Sequence, residues 1–397
     1  VGTAVAGVDY VATNGTLTFG PNDLVKFFRV APIDNPTIQA NRQFTVHLSN
    51  PGGGVSLEDT QAVATVTIVD NDDPARVGSW DTPIDMPANP YPVVPIHINL
   101  LTTGKVLLWD RGAPFDTPFG GTDGYPYLWD IAAGTFTRTP FQGYDFFCTG
   151  HGLMVDGRLL VAGGHIADGV GEAKASIYDS GSNTWTRLPD MNAGRWYPTV
   201  TMLGNGDQLV EAGTVDIATD VNKVSQIWQI AGGSWRNLTT AAAQHGIFPA
   251  WANYYPFMYL APNGKVFNAG PQQMARYLDT TGTGEWTDVA VSSLDYRDYG
   301  TSVLYDDGKV MIHGGNPPEG YAQPSIYAQT ATVYPSRVTE VINLNDPTPA
   351  WRQTTPANTG RRHGIATLLP DGKVFLYNGS SSPGFNIAAG KILMSEM

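Results

Sequence analysis

The sequence predicts an all-β protein in two parts, a small antiparallel β-sandwich followed by a bladed β-propeller. Three observations predict it. Glycine and proline supply 45 and 29 of the 397 residues, a level suited to many short strands joined by tight turns. Residues 1–73 divide into short β-forming runs separated by turn chemistry. Residues 80–397 repeat one turn-and-strand unit along their whole length.

In the first part, Val8–Thr13, Thr16–Phe19, Leu24–Val30, Gln43–Leu48 and Val63–Val69 alternate or cluster β-formers. Between them lie Asn14-Gly15, Pro21-Asn22-Asp23 and Pro51-Gly52-Gly53-Gly54, residues that favour turns. Five short strands at this spacing predict an antiparallel sandwich. It ends in the acidic run Asp70-Asn71-Asp72-Asp73 and Pro74, and residues 74–79 are expected to be a linker.

In the second part an apolar strand follows each Asp/Asn-Gly-type turn: Lys105–Trp109, Arg158–Ala162, Gln208–Val210, Lys265–Asn268, Lys309–His313 and Lys373–Tyr377. The turn glycines Gly104, Gly157, Gly206, Gly264, Gly308 and Gly372 are spaced 53, 49, 58, 44 and 64 apart. Most strands run into glycine (Gly163-Gly164, Gly213, Gly270, Gly314-Gly315), and an aromatic follows later in each unit: Phe136, Trp185, Trp235, Trp286 and Trp351. A period near fifty with a diglycine and a later tryptophan marks a kelch-type propeller, whose four-stranded blades bury their faces on one another. Five blades and the first half of a sixth are legible.

Composition excludes several functions. With 23 basic and 36 acidic residues the formal charge is −13, and no Lys/Arg cluster offers the basic face that a nucleic-acid partner requires. No apolar run is long enough for a membrane segment. A single cysteine, Cys148, excludes an internal disulfide and a Cys-cluster zinc site.

The units align without gaps over the nine residues before each turn glycine. Nine positions back stand Cys148, Tyr197, Tyr255, Tyr299 and His363, with Pro95 in the first unit. Equivalent positions on innermost strands share one level around the central axis, so a thiol, three phenols and an imidazole are expected at one mouth of the channel. Packing alone would also put large aromatics there. His151 and His165 flank the Gly157 turn without HxH or HExxH spacing, and read as structural.

GVDYVATNGTLTF, FTVHLSNPGGG and ATVTIVDND resemble the Calx-beta module, less its first strand. The resemblance implies calcium at acidic strand ends, with Asp70, Asp72 and Asp73 as the matching residues. The glutamate that the family carries before its FTV strand is replaced by Asn41-Arg42-Gln43, and a positive charge there opposes calcium, which depends on several carboxylate oxygens.

GSWDTPIDMPANP with GKVLLWDRG, DFFCTGHGLMVDGRLLVAGGH and GRWYPTVTMLGNG resemble the galactose oxidase and glyoxal oxidase family of copper radical oxidases, over residues 78–397. The resemblance implies an incomplete seven-bladed propeller. It also implies oxidation of a primary alcohol, aldehyde or carbohydrate by O2, giving aldehyde or acid plus H2O2. Copper and a tyrosyl radical on a thioether-linked Tyr–Cys pair do this in the family; Cys148 and Tyr197 match that pair, with Tyr197 a copper ligand. Secretion or a cell-surface location is implied too. The family's Tyr-His pair and last histidine have no match, so three copper ligands are expected to be missing and this chain to be inactive. His363 is a poor substitute beside Arg361 and Arg362. Val215 falls where galactose oxidase has its stacking indole, leaving Trp196 and Trp251 as candidates. The alternative is a non-catalytic kelch propeller for adhesion or glycan binding.

Overall fold

The computed structural model describes residues 2–20, 26, 28–35, 37–57, 62–70, 82–87, 93–111, 125–140, 143–216, 220–244, 254–315, 334–383 and 388–397. The chain divides into two compact units, Val1–Ile84 and Asp85–Met397. The expected linker lies outside the described residues.

In the first unit, β1 (Arg42–His47) pairs antiparallel with β2 (Val63–Ile68), Phe44 opposite Val66. The runs around residues 8–13 and 16–19 were expected to be strands and are not. Val11 N–H donates to Ala31 and Ile33 N–H to Asp9, at 2.8 and 2.9 Å, but the residue between, Pro32, meets Tyr10 only as an isolated bridge. Proline has no N–H with which to extend a ladder. Tyr10 stacks on buried Phe44 with ring centroids 4.2 Å apart, and this ring pair centres the unit's small core.

The second unit is built from five four-stranded blades. Blade one is β3 (His97–Leu100), β4 (Val106–Trp109), β5 (Tyr127–Asp130) and β6 (Thr135–Arg138). Blade two holds β7 (Asp145–Leu153), β8 (Leu159–Ala167), β10 (Ala175–Asp179) and β11 (Thr184–Arg187). Short strands β9 (Val170–Gly171), β14 (Thr214–Asp216) and β15 (Asp220–Val221) extend its sheet. Blade three is β12 (Thr199–Met202), β13 (Gln208–Glu211), β16 (Gln226–Gln229) and β17 (Ser234–Asn237). Blade four is β18 (Met258–Leu260), β19 (Val266–Asn268), β20 (Gln272–Asp279) and β21 (Glu285–Tyr296). Blade five is β22 (Thr301–Asp306), β23 (Lys309–His313), β24 (Thr339–Asn343) and β25 (Arg352–Gln353). A hairpin of β26 (Ile365–Leu368) and β27 (Val374–Tyr377) follows.

This corrects the expected incomplete seven-bladed propeller: the arrangement is five-bladed. Seven came from the resemblance and not from the repeats in the chain. Among the described residues after β27 the backbone makes isolated bridges, Arg362 with Ser380, Leu376 with Glu396 and Ser380 with Lys391, and no further strand.

The core lies between blades. Leu107, Trp109 and Leu128 of blade one bury against Phe146, Leu159, Val161 and Tyr178 of blade two. Leu209 and Ile227 of blade three do the same with Val266, Leu278 and Trp286 of blade four. Each such leucine contributes about 2 kcal/mol by leaving water. The repeated tryptophan reaches back one blade: Trp185 Nε1 donates to Thr139 Oγ1 at 3.2 Å and Trp235 Nε1 to the Pro189 carbonyl at 2.8 Å. First strands of neighbouring blades lie against each other, β7 on β12, β12 on β18 and β22 on β26. That contact brings the register positions together.

Candidate active site around Cys148 and Tyr197

All five register residues adopt left-handed backbone. Their φ angles are 63° at Cys148, 67° at Tyr197, 43° at Tyr255, 50° at Tyr299 and 57° at His363. Non-glycine residues hold this conformation only where their surroundings fix it. Here backbone bonds pass from blade to blade. Tyr197 N–H donates to Cys148 O (3.0 Å), Tyr255 N–H to Tyr197 O (2.8 Å) and His363 N–H to Tyr299 O (2.9 Å). Cys148 N–H instead donates to His97 Nε2 at 3.1 Å. Burial first, then His151, pushes the His97 pKa well down, so the ring stays a neutral acceptor.

Sequence reasoning missed the residues that anchor this ring. Two positions before Tyr197, Tyr299 and His363 stand Arg195, Arg297 and Arg361, all fully buried. Each donates through Nη1 to the carbonyl seventeen residues on: Ala212 (2.7 Å), Gly314 (3.0 Å) and Asn378 (2.8 Å). The signal was present as Arg-x-Tyr or Arg-x-His before the inner strands of blades three and five and of the last hairpin. The diglycines answer the same segment. A Cβ on Gly163 would come within 2.4 Å of the Arg195 carbonyl oxygen, and one on Gly314 within 2.4 Å of that of Arg361. Arg361 pairs with Glu396 and Arg362 with Asp298.

The structure brings Cys148 and Tyr197 together. The phenol packs against the thiol in one cluster with Trp196, Tyr254 and Tyr299. Cys148 is 1% exposed. Burial pushes both pKa values well up; the neighbouring thiol adds to the rise at Tyr197, whereas the phenol partly offsets it at Cys148. Both are therefore protonated and neutral at physiological pH. Tyr299 packs in the same cluster as Tyr197, and burial raises its pKa too. The Tyr255 ring stacks on Tyr197 at 4.5 Å, and its hydroxyl donates to the Thr149 carbonyl at 3.2 Å.

Trp196 supplies the stacked indole, with its ring centroid 3.7 Å from that of Tyr197 and the planes 7° apart. Trp251 lies outside the described residues. Of the other histidines, His151 packs edge-on against His97 and Trp109, a structural role, whereas His165 bonds Trp196. His363 tilts over Tyr299 with centroids 4.3 Å apart, and burial and then Arg362 push its pKa down to about 3.

The donor set is one-sided for copper, which takes nitrogen and oxygen ligands in a tetragonal set with an open position. The ring offers phenols, a thiol and one imidazole. Among the described residues no three His, Cys, Asp or Glu side chains converge. These residues do not make a copper site by themselves. In the first unit, Asp70 is buried and accepts from Gln39 N–H at 3.1 Å, while Arg42 holds Asp9 at 2.9 Å. Asp72 and Asp73 lie outside the described residues, and calcium's six to eight oxygens are not assembled by those described. A groove of about 600 Å³ beside Asp9, Tyr10 and Phe44 belongs to that unit and carries none of the thiol–phenol chemistry. No helix among the described residues is long and apolar enough to cross a membrane.

An all-β propeller with a thiol and a phenol paired at the mouth of its inner strands is the class that fold and site define. The chain belongs to the glyoxal oxidase N-terminus family, whose profile matches residues 126–394, and the Calx-beta domain profile matches residues 2–72. It is 26% identical over 331 residues to a galactose oxidase of Gibberella zeae, covering 76% of this chain and 44% of that protein. It is 26% identical over 260 residues to the aldehyde oxidase GLOX of Vitis pseudoreticulata, covering 62% and 47%. The first unit is similar to the sodium/calcium exchanger Calx of Drosophila melanogaster, 39% identical over 71 residues, 18% of this chain and 7% of that one. The chain thus spans less than half the length of these relatives. A solved copper complex of a fungal alcohol oxidase of the AA5 family shares the fold, with a TM-score of 0.64 at 23% identity over 81% of this chain and 65% of that one.

Proposed function

We propose that the chain carries the organic redox half of a copper radical oxidase, with Cys148 and Tyr197 forming the thioether-linked phenol in the whole protein. Forming the S–C bond removes two hydrogens, which O2 takes up as H2O2. A phenol bearing an ortho sulfur is more electron-rich than tyrosine and gives up an electron more easily. The whole protein would oxidise a small primary alcohol, aldehyde or carbohydrate with O2 to aldehyde or acid plus H2O2, outside the cell or at its surface.

One observation carries this reading: a buried thiol from one blade and a half-buried phenol from the next pack in one cluster, the phenol stacked on a flat indole. Burial keeps water and stray thiols from the pair. Tyr299, a neighbouring phenol in the same cluster, is the proposed proton partner for the Tyr197 oxygen as its charge changes. Copper would need imidazoles beyond this donor set, so the 397-residue chain alone is proposed to bind copper weakly and to make no H2O2.

Intact-mass measurement of the copper-loaded whole protein tests the reading. The expected mass is two hydrogens below that of free Cys148 and Tyr197, and Cys148→Ala abolishes the deficit. A mass matching the free thiol and phenol rejects the oxidase and leaves the non-catalytic, glycan-binding propeller.

A further inference from the structure

Trp196 and Tyr197 are consecutive residues, and consecutive side chains on an extended strand point to opposite faces. Their rings nevertheless stack at 3.7 Å. The left-handed turn at Tyr197, φ 67°, breaks the alternation and lets both rings share a side. The Trp196 backbone is pinned on its other side by paired bonds to Thr214, N–H to O and O to H–N, each 2.9 Å. The Tyr254 edge meets the indole at 5.6 Å and 87°.

The indole is 3% exposed, so its one polar group needs a partner. His165 supplies it: Trp196 Nε1 donates to His165 Nδ1 at 3.3 Å. On the far side of the imidazole, Nε2 faces Arg111 Nη2 at 3.2 Å and Asp168 Oδ1 at 3.8 Å. Indole and guanidinium only donate, and a neutral imidazole accepts at one nitrogen. The two donors therefore compete for one acceptor; in the tautomer that serves the indole, Nδ1 accepts and the proton sits on Nε2, where the Asp168 carboxylate, 3.1 Å from Arg111 Nη2, offsets the guanidinium charge. Burial first, then Arg111, pushes the His165 pKa down to about 4, which keeps the acceptor available at neutral pH.

We propose that His165 is a positioning residue that holds the Trp196 indole flat on Tyr197 and thereby sets how readily that phenol is oxidised. The second half rests on the oxidase reading above; the first does not. A stacked, electron-rich ring shares the positive character that an oxidised phenol gains, so loosening the stack makes oxidation harder.

Two arms test it. In the 397-residue chain, a through-bond ¹⁵N coupling between Trp196 Nε1 and His165 Nδ1 is expected, with that indole proton displaced downfield. This needs no variant, and absence of the coupling overturns the proposal. His165→Phe should lose the displaced signal and His165→Asn, whose carbonyl oxygen falls near Nδ1, should keep it. In the whole copper-loaded protein, the Tyr197 midpoint potential should rise in His165→Phe and return towards wild type in His165→Asn. Equal potentials in all three, with the radical present, overturn the positioning role. A wild-type protein without a radical or thioether instead rejects the oxidase reading, and the proposal with it as far as oxidation is concerned; the coupling still decides whether His165 holds the indole.

Discussion

The two units bury their apolar residues by different means. In the propeller, Leu107, Leu159, Val161, Leu209 and Val266 are fully buried because each blade covers its neighbour. In the first unit Phe44 is buried, whereas Val63, Val66 and Val69 stand exposed beside it. Two paired strands have a single face-to-face partner to offer at most, and a hairpin alone is marginal. Repetition thus supplies what strand count does not: every blade interface adds another layer of core.

The largest effect that would sharpen this contrast comes from a buried charge. Arg297 and Glu340 pair at 1% and 2% exposure. Glu340→Ala strands the guanidinium and should cost about 3–5 kcal/mol in urea unfolding followed by tryptophan fluorescence, which reports the propeller. Leu159→Ala, at the interface of blades one and two, should cost about 3 kcal/mol by the same measurement. A loss under about 1 kcal/mol at either site would mean that the blades do not cover each other as described.

Acid separates the units next. His151, His165 and His313 have folded pKa values pushed down to about 4 and His363 to about 3, and burial lowers that of His97 well below its ordinary value. Between their ordinary value near 6.5 and those lowered values the unfolded chain binds more protons. Propeller stability should therefore fall as pH drops through that window, by on the order of 1 kcal/mol per pH unit for each histidine. Asp9 behaves oppositely in range: its carboxyl is held below the usual value by the Val5 N–H and Arg42. Its contribution is present above about 4 and is lost only as pH falls through the lowered value. Amide exchange of β1 should be flat from pH 6.5 to 4 while the propeller weakens; a parallel decline in both would break the distinction. The smallest effect is Val66→Ala, exposed on β2, which should change stability by less than about 0.5 kcal/mol in a denaturation curve.

Much of the site was legible before the fold. The turn glycines set the register, and the register lined up Cys148, Tyr197, Tyr255, Tyr299 and His363, which occupy one conformation and bond one another's backbones. The buried arginines two positions earlier were equally visible and went unread, because a charged residue next to an apolar strand looks like a solvated one. His165 was read as structural; its acceptor role depends on which ring nitrogen meets Trp196. The strands expected at 8–13 and 16–19 failed because propensity does not say whether a ladder partner exists, and Pro32 removed one.

By itself, then, the sequence determined the all-β class, the repeat, and which residues share a level, since these follow from local period and turn chemistry. Tertiary structure alone decided the flat contact of Trp196 on Tyr197 and the partner of the indole nitrogen. The first depends on the left-handed backbone at Tyr197, and the second on side chains of separate blades meeting at 3.3 Å, a distance that no single segment of the chain encodes.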